Sequence, residues 1–379
     1  MTTSTPSPAR SIDLSALPPP ALRMLGANAP PQLKLMAARG IAPGLKPEAI
    51  LTIICALVEG PDRELAVTAR STLENLPQAL LQGALSADLQ APVLELVAET
   101  QYADAGIVGR LLGARQVSSA ALEIVAEHAT ESIGELVAAS DSVLLRFPRV
   151  IEKLYMNRRV RMSTADRLVD LAVRNNLELN IPAFKQAAAA IQNQLIPEAT
   201  AERQFDDELF QKVEEIASQT ECAPDEDTHE VNDEGEEELK GKYKPLYAEI
   251  ATMSITQKIR RATLGTGAER MLLVRDSNRL VATAAASSPL LNESEAARIA
   301  SSRSVSDDVL RLIAQNREFT RSYQVKLNLI GNPRTPFTYS SRLIPHLRDN
   351  DLRMMSKSKN VPGAVQTAVR QQLDRKKNG

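Results

Sequence analysis

The stretch LGTG at residues 264–267 contains residue types that can bind phosphate. Glycine-rich loops expose backbone N–H groups to phosphate oxygens, but the nucleotide-binding pattern is GxxxxGK[ST] after a strand. Here Gly267 is followed by Ala268 and Glu269, so neither the lysine nor the hydroxyl of that pattern is present. The spacing therefore favours a turn between two helices over a phosphate site.

Two histidine-containing stretches could bind a metal ion or supply a general base. His346 lies close to Asp349 and Asp351, but both aspartates stand where a turn and a helix N-cap are expected. Cys222 and His229 flank carboxylates, yet no second Cys or His pair completes a zinc site, and the spacing does not match a calcium loop. We therefore expect no catalytic residue, no metal site and no cofactor.

Positive charge is concentrated in the last part of the chain. Residues 240–379 carry 25 Lys and Arg against 11 Asp and Glu, whereas residues 198–239 carry 2 against 17. Such a surface can neutralise phosphates or the carboxylates of an acidic peptide, although lysines and arginines can also simply solvate a helical surface. The residues predicted to form an anionic-partner surface are Lys258, Arg260, Arg261, Arg348, Arg353, Lys357, Lys359 and Arg370.

Short polar turns, which we call elbows, recur through the basic region and must position these residues. The elbows begin at Ser288-Pro289, Ser302-Arg303, Asn316-Arg317, Asn332-Pro333 and Ser358-Lys359, at steps of 14, 14, 16 and 26 residues. A step near 14 holds one helix of about 10 residues plus a turn. LELVAE at 94–99 recurs as LEIVAE at 122–127, so both regions indicate helical hairpins with a period of about 28 residues.

Local chemistry at the elbows also favours helices. Asn292 is followed three residues later by Glu295, which is typical of a capping box, and Thr335-Pro336 matches the favoured first positions of a helix. Between helices, Gly331 is expected to adopt a left-handed conformation. The stretch QVKLNLI (324–330) alternates like a strand, but its neighbours predict a helix there too.

These patterns predict an all-α protein, an α-solenoid of short helical hairpins in two blocks. The acidic stretch at 221–238 holds ten carboxylates and almost no large apolar side chain, so we expect it to be disordered. We also hypothesise that it covers part of the basic block. The predicted division is a disordered tail at 1–19, a helical-repeat block at 20–197, an acidic linker with one short helix at 198–239, and a basic helical-repeat block at 240–379.

The Ala-rich apolar runs interrupted by SSP, SSRSVS, QNRE, GNPRTP and SKNVP resemble the short HEAT-like and leucine-rich-repeat-variant solenoids of bacteria. The stretch that begins SITQKIRRATLGTGAERMLLVRDSNRLVATAA and runs to the C-terminus is similar to an uncharacterised bacterial helical-repeat family. The resemblance covers most of residues 240–375 and, more faintly, 45–195. Its motifs are structural, so it implies a scaffold or binding surface and transfers no active site.

Composition narrows the function classes. Two cysteines, no signal-peptide pattern and no apolar run of membrane-spanning length predict a cytoplasmic protein that does not enter a membrane. The sequence has no Trp, which disfavours a base-excising enzyme. We therefore predict a non-catalytic protein-binding scaffold or adaptor. The alternative is sequence-nonspecific nucleic-acid binding through the basic block, and an enzyme would require one of the weak sites above to be a real pocket.

Overall fold

The computed structural model describes residues 10–26, 28–192, 203–220, 223, 226–232, 236–358 and 360–378. Within these residues the chain forms 24 α-helices, three short 3₁₀ helices and one two-stranded antiparallel hairpin, so the all-α prediction is confirmed. None of the described helices has the length and apolar character needed to cross a membrane. The chain divides into two compact units, Met1–Leu179 and Asn180–Gly379.

The first unit contains twelve helices among its described residues. They are α1 (Pro19–Leu25), α2 (Pro31–Ala38), α3 (Pro47–Val58), α4 (Arg63–Glu74), α5 (Gln78–Ala84), α6 (Ala91–Gln101), α7 (Ala105–Gly113), α8 (Ser119–His128), α9 (Glu131–Ala138), α10 (Asp141–Arg146), α11 (Pro148–Met156) and α12 (Met162–Arg174). Many of these helices start at a proline or directly after an Asp or Ser, because both residue types favour the first turn of a helix.

The second unit contains the remaining helices and both strands of the described residues. The helices are α13 (Phe184–Ile191), α14 (Phe205–Gln219), α15 (Lys244–Thr252), α16 (Ile255–Leu264), α17 (Gly267–Leu273), α18 (Arg279–Ala286), α19 (Glu293–Ser301), α20 (Asp307–Gln315), α21 (Tyr323–Gly331), α22 (Phe337–Leu343), α23 (Asp349–Lys357) and α24 (Gly363–Asn378). The strands are β1 (His229–Val231) and β2 (Glu237–Leu239).

Helices pack against a helix two positions away in the second unit, and two or three positions away in the first. In the first unit α6 contacts α8 and α8 contacts α11, while α7 contacts α9 and α9 contacts α12. The LELVAE and LEIVAE repeats lie on α6 and α8 and bury corresponding residues, including Leu94 with Val97 and Leu122 with Val125. In the second unit α18 contacts both α16 and α20, and α19 contacts both α17 and α21. The offset of 28 residues therefore corresponds to two helices that pack side by side.

The predicted elbows lie at helix ends. Ser302, Asn316, Asn332 and Ser358 are the residues that follow α19, α20, α21 and α23, and Ser288 lies one residue further from the end of α18. The residues predicted as a capping box at the start of α19 form it in the structure. These positions were predictable because each depends on side chains within a few residues in sequence.

Among the described residues, two elbows are each joined by an asparagine side chain to the elbow about one repeat earlier in the chain, and we call this contact an elbow bridge. In the second unit, Nδ2 of Asn332 donates to the carbonyl oxygens of Ala300 (2.8 Å) and Ser302 (2.7 Å), and its Oδ1 accepts from the Arg334 N–H. In the first unit, Nδ2 of Asn157 donates to the carbonyl oxygens of Ala126 (3.0 Å) and Ala129 (2.9 Å), and its Oδ1 accepts from the Arg159 N–H. The bridge supplies partners for carbonyl groups that the end of a helix leaves open.

The structure corrects the details of the elbow at 331–336. Gly331 is the last residue of α21 and is not among the positive-φ glycines, which are Gly40 and Gly44, so its predicted left-handed conformation is wrong. The N-cap of α22 is Pro336, and the helix begins at Phe337 rather than at the predicted Pro336. The physical reason is that Asn332, held by its elbow bridge, ends α21 one residue later than the glycine suggests. The stretch 324–330 is helical, as predicted.

Two segments expected to be disordered have described parts that are folded. Within the acidic stretch, β1 pairs with β2 in an antiparallel register, because carboxylates of this stretch find cationic partners in the second unit. In the N-terminal segment, Arg10 forms salt bridges with Glu59, Glu95 and Glu99 of the first unit. Cys222 and residues 1–9 lie outside the described residues.

Candidate functional site

The structure divides the predicted anionic-partner surface into a buried part and an exposed part. Arg260 and Arg261 on α16 are almost fully buried, with their guanidinium carbons 5.2 and 4.9 Å from the centre of the Phe210 ring. Nε of Arg261 lies 2.6 Å from Oε1 of Glu269, which is also buried. Lys258 pairs with Asp276 at 3.1 Å. As a correction to the prediction, Arg260 and Arg261 are internal and do not face an external anion.

The exposed part lies at the end of the second unit, and we call it the terminal basic surface. It consists of Arg348, Arg353, Lys357 and Arg370. Nη2 of Arg370 donates to the Ser356 carbonyl at 3.2 Å, which brings α24 close to the end of α23 that carries Lys357. Lys359, also predicted for this surface, lies outside the described residues. The structure therefore keeps four of the eight predicted residues accessible.

The LGTG stretch is a turn, as its spacing predicts. Gly265 follows the end of α16, and Thr266 is the N-cap of α17 in a capping box with Glu269. A Cβ atom placed on Gly267 would lie 2.6 Å from Oε1 of Glu295, so this glycine is required by close packing against a buried carboxylate. The glycines of this turn therefore serve packing around buried charges.

The aspartates of the histidine-containing stretch at 346–351 form contacts with other residues of the chain. Asp349 pairs with Lys376 at 2.8 Å and Asp351 accepts from the Tyr323 hydroxyl, both in the first turn of α23. His346 ends a 3₁₀ helix just before them. Among the residues that the structure describes, no group of three His, Cys, Asp or Glu side chains is placed to hold a metal ion. Burial raises the pKa of the Cys55 thiol, which lies in the core of the first unit.

An open cleft of about 510 Å³ lies in the second unit, on a face formed by α13, α18 and α20. Its lining combines cationic, amide and leucine side chains with one carboxylate, and we call it the α18–α20 cleft. The carboxylate of Asp308 lies 2.6 Å from Nε of Arg279 and 3.3 Å from Nη2 of Arg311. The lining residues used below are Lys185, Arg279, Leu280, Asp308, Arg311 and Leu312.

The residues of this cleft were not predicted, although the sequence contains a signal for them. Arg279 and Asp308 are separated by 29 residues, which is close to the repeat period. Residues one period apart lie on neighbouring helices of a packed row, so oppositely charged residues at that separation predict an ion pair across the row. The residues predicted to form an anionic-partner surface were chosen from clusters of charge in the sequence, without this periodicity.

A second polar centre lies where the acidic hairpin of β1 and β2 contacts the elbow between α19 and α20. Oε2 of Glu237 accepts from the hydroxyls of Ser302 and Ser304, each at 2.7 Å, and Oε1 accepts from the Arg303 N–H at 2.6 Å. Nε of Arg275 lies 3.3 Å from Oε2 of the same carboxylate. We call these four donors the elbow cradle.

The electrostatics of the cradle favour an ionised carboxylate. Desolvation raises the pKa of Glu237, but hydrogen bonds from Ser304, Ser302 and the Arg303 N–H and the charge of Arg275 outweigh it and lower the pKa to about 2. Burial, and then the charge of Arg275, lower the pKa of the neighbouring His229. The elbow cradle is therefore a site for negative charge that the chain itself occupies.

Comparison with models of known protein families finds no match for this chain. Comparisons with curated proteins and with solved structures likewise find no similar protein. The function is therefore inferred from the geometry of the chain itself, and the HEAT-like resemblance stays an expectation.

Proposed function

We propose that this chain is a non-catalytic helical-repeat scaffold that binds an acidic segment of a partner protein in the α18–α20 cleft. The observation that carries the proposal is the composition of the cleft. Three cations, Lys185, Arg279 and Arg311, surround a single carboxylate, Asp308, and leave the cleft with excess positive charge. An extended or helical segment with acidic side chains has the charge that complements it.

Apolar side chains in the cleft support a peptide ligand over a simple ion. Leu280 and Leu312 are half-buried and line the same cleft as the cations. A partner segment that carries both apolar and acidic residues can cover these leucines while its carboxylates meet the guanidinium groups. Burial of apolar surface then supplies affinity, and the charges supply orientation and specificity.

The packing of successive helices supports a rigid binding surface. α18 packs between α16 and α20, so the helices that carry Arg279 and Arg311 are held in place by buried residues. At the end of α18, the Ser288 hydroxyl donates to the Thr263 carbonyl of α16 at 3.1 Å. A surface that is already ordered loses less conformational entropy when a ligand binds.

To test this, 12-residue peptides from a displayed random library are selected for binding to the immobilised full chain. The affinity of each retained peptide is then measured by fluorescence anisotropy. We expect retained peptides to be enriched in Asp and Glu combined with apolar residues. In the double variant Arg279→Gln/Arg311→Gln, their affinity should fall about tenfold or more, because both cations that meet the ligand are neutralised.

The matched control is the double variant Arg353→Gln/Lys357→Gln, which removes the same charge from the terminal basic surface. It should leave peptide affinity unchanged. Peptides that bind wild type and Arg279→Gln/Arg311→Gln equally well would overturn the cleft as the site. If no peptide is retained and duplex DNA binds wild type but not the control variant, nucleic-acid binding replaces the proposal.

A further inference from the structure

The elbow cradle is built by the elbow and not by the hairpin that fills it. The four donors come from Arg275 and residues 302–304, whereas the hairpin supplies only the acceptor, Glu237. The elbow bridge of Asn332 holds the Ser302 carbonyl at 2.7 Å, on the side of the elbow that faces the next repeat. Nη1 of Arg334 also reaches the Ser304 carbonyl at 3.4 Å. These contacts do not involve the hairpin, so they hold the backbone of the elbow independently of it.

Arg275 adds a second carboxylate position beside the first. Its Nη2 donates to both carboxylate oxygens of Asp227, at 3.2 and 3.1 Å, while its Nε faces Glu237. Its Nη1 donates to the Met271 carbonyl at 2.8 Å, which fixes the plane of the guanidinium. The side chain of Arg275 is only 6% exposed under the hairpin. Two carboxylates, one from Asp227 just before β1 and one from Glu237 on β2, are thus recognised by one oriented arginine and one elbow.

The hairpin itself is a weakly supported element. Each strand has three residues, and Val231, the only large apolar side chain of β1, is 68% exposed. An isolated two-stranded hairpin is marginally stable in water. The contacts of Asp227 with Arg275 and of Glu237 with the elbow cradle therefore help to keep the hairpin in place.

We propose that Arg275 and residues 302–304 form a binding site for an acidic peptide segment of a protein partner, and that the chain's own β1–β2 hairpin occupies it in the free protein. A partner that presents two carboxylates with the spacing of Asp227 and Glu237 makes the same contacts and displaces the hairpin. The tethered hairpin acts at an effective concentration in the millimolar range, so a partner must bind more tightly than the hairpin does to replace it. The site is separate from the α18–α20 cleft and does not depend on the function proposed for that cleft.

The probe is a fluorescein-labelled peptide with the sequence of residues 226–239, EDTHEVNDEGEEEL, measured by anisotropy against the full chain. The double variant Asp227→Asn/Glu237→Gln weakens the internal ligand and leaves the cradle intact. We expect it to bind the peptide at least about tenfold more tightly than wild type at low salt, because the tethered competitor is weakened. The difference should shrink as salt rises.

Two controls decide whether the cradle is responsible. Adding Ser304→Ala to the double variant should reverse most of the gain, and a peptide with Asn and Gln at the positions of Asp227 and Glu237 should bind poorly to every variant. Ser304 is exposed, so its loss spares the core, and circular dichroism verifies the fold of each protein. In a second readout, hydrogen exchange of the Arg303 amide in Asp227→Asn/Glu237→Gln should slow when the peptide binds.

Several results would overturn the proposal. Equal peptide affinity for wild type and Asp227→Asn/Glu237→Gln at low salt would show that the hairpin does not compete. A gain that persists after Ser304→Ala, together with unchanged exchange of the Arg303 amide, would place the peptide elsewhere. Equal binding of the acidic and neutral peptides would exclude carboxylate recognition. A failure at the α18–α20 cleft leaves all of these readouts unaffected.

Discussion

The cores of the two units differ in the kind of polar side chain that they bury. In the described part of the first unit, the buried polar side chains are uncharged, namely Thr52, Asn157 and Thr164. The described part of the second unit buries charged groups as well, and these are Asp207, Arg260, Arg261, Glu269, Arg270 and Glu295. Both units use similar short helices, so the difference lies in how successive helices are held together.

Each buried glutamate of the second unit has two structural roles. Glu269 pairs with Arg261 through Oε1 and accepts the Thr266 N–H through Oε2 at 2.6 Å, which caps α17. Glu295 pairs with Arg270, at 2.8 and 3.1 Å, and caps α19 through the capping box with Asn292. A buried ion pair is costly to desolvate but is satisfied by one arrangement of its partners. The comparison suggests that the second unit specifies its packing by charge, whereas the first unit does so mainly by apolar contacts.

Among tests of this difference, the substitution Glu269→Ala should have the largest effect on stability. It leaves Arg261 buried beside Phe210 without its main partner and removes a helix cap, so we expect about 3–5 kcal/mol of destabilisation. The control Glu127→Ala removes an exposed pair with Lys153 in the first unit and should cost about 0–1 kcal/mol. Hydrogen exchange resolved by mass spectrometry reports the two units separately. Similar losses for both variants would contradict the contrast between the cores.

A second prediction concerns glycines in the two units. Gly267→Ala places a Cβ 2.6 Å from Oε1 of Glu295, so we expect about 1–3 kcal/mol of destabilisation from the forced shift of a buried carboxylate. In the first unit, Gly109 lies in the interior of α7 with nothing within 4 Å of its Cβ position. Gly109→Ala should therefore stabilise that unit by up to about 1 kcal/mol. In thermal unfolding, Gly267→Ala should lower the melting temperature and Gly109→Ala should raise it. Equal shifts of the melting temperature would argue against the close packing at Gly267.

The elbow bridges provide a test in which the two units should behave alike. Asn157→Ala and Asn332→Ala each remove a side chain that bonds two carbonyl groups of the elbow one repeat earlier, and each should cost about 1–3 kcal/mol. Asn175→Ala, at an exposed residue after α12, is the control and should change stability by less than about 0.5 kcal/mol. Urea denaturation measures all three variants. A large loss at only one bridge would mean that the two elbows are not equivalent.

The smallest expected effect is a pH dependence of the hairpin in the second unit. The pKa of Glu237 is lowered from its ordinary value of 4.5 to about 2, so the ionised form stabilises the folded hairpin. This contribution is present above about pH 4.5 and is lost as the pH falls towards 2. Hydrogen exchange of the hairpin should therefore accelerate between pH 5 and 3 in wild type, after correction for intrinsic rates. Glu237→Gln should lack this acceleration, and a variant that retains it would assign the titration to another group.

Features that depend on nearby residues were predictable from the sequence. The helical period, the ends of α19, α20 and α23 and the capping box at Asn292 follow from side chains within one turn of each other. The burial of Arg260 and Arg261 was not predictable in this way, because it depends on Phe210, about fifty residues earlier in the chain. The hairpin was missed for a similar reason, since its acidic composition indicates disorder unless the elbow cradle is known.

The elbow bridges connect residues in one direction along the chain, and this sets an order of completion during synthesis. Asn157 reaches back to carbonyl groups 31 and 28 residues earlier, and Asn332 reaches back 32 and 30 residues. A helix pair that has already left the ribosome therefore keeps its last carbonyl groups hydrated until about one more repeat has emerged. The nascent chain is thus stabilised about one repeat behind the ribosome exit, and a pause that keeps Asn157 or Asn332 inside the ribosome leaves the elbow one repeat earlier unbridged.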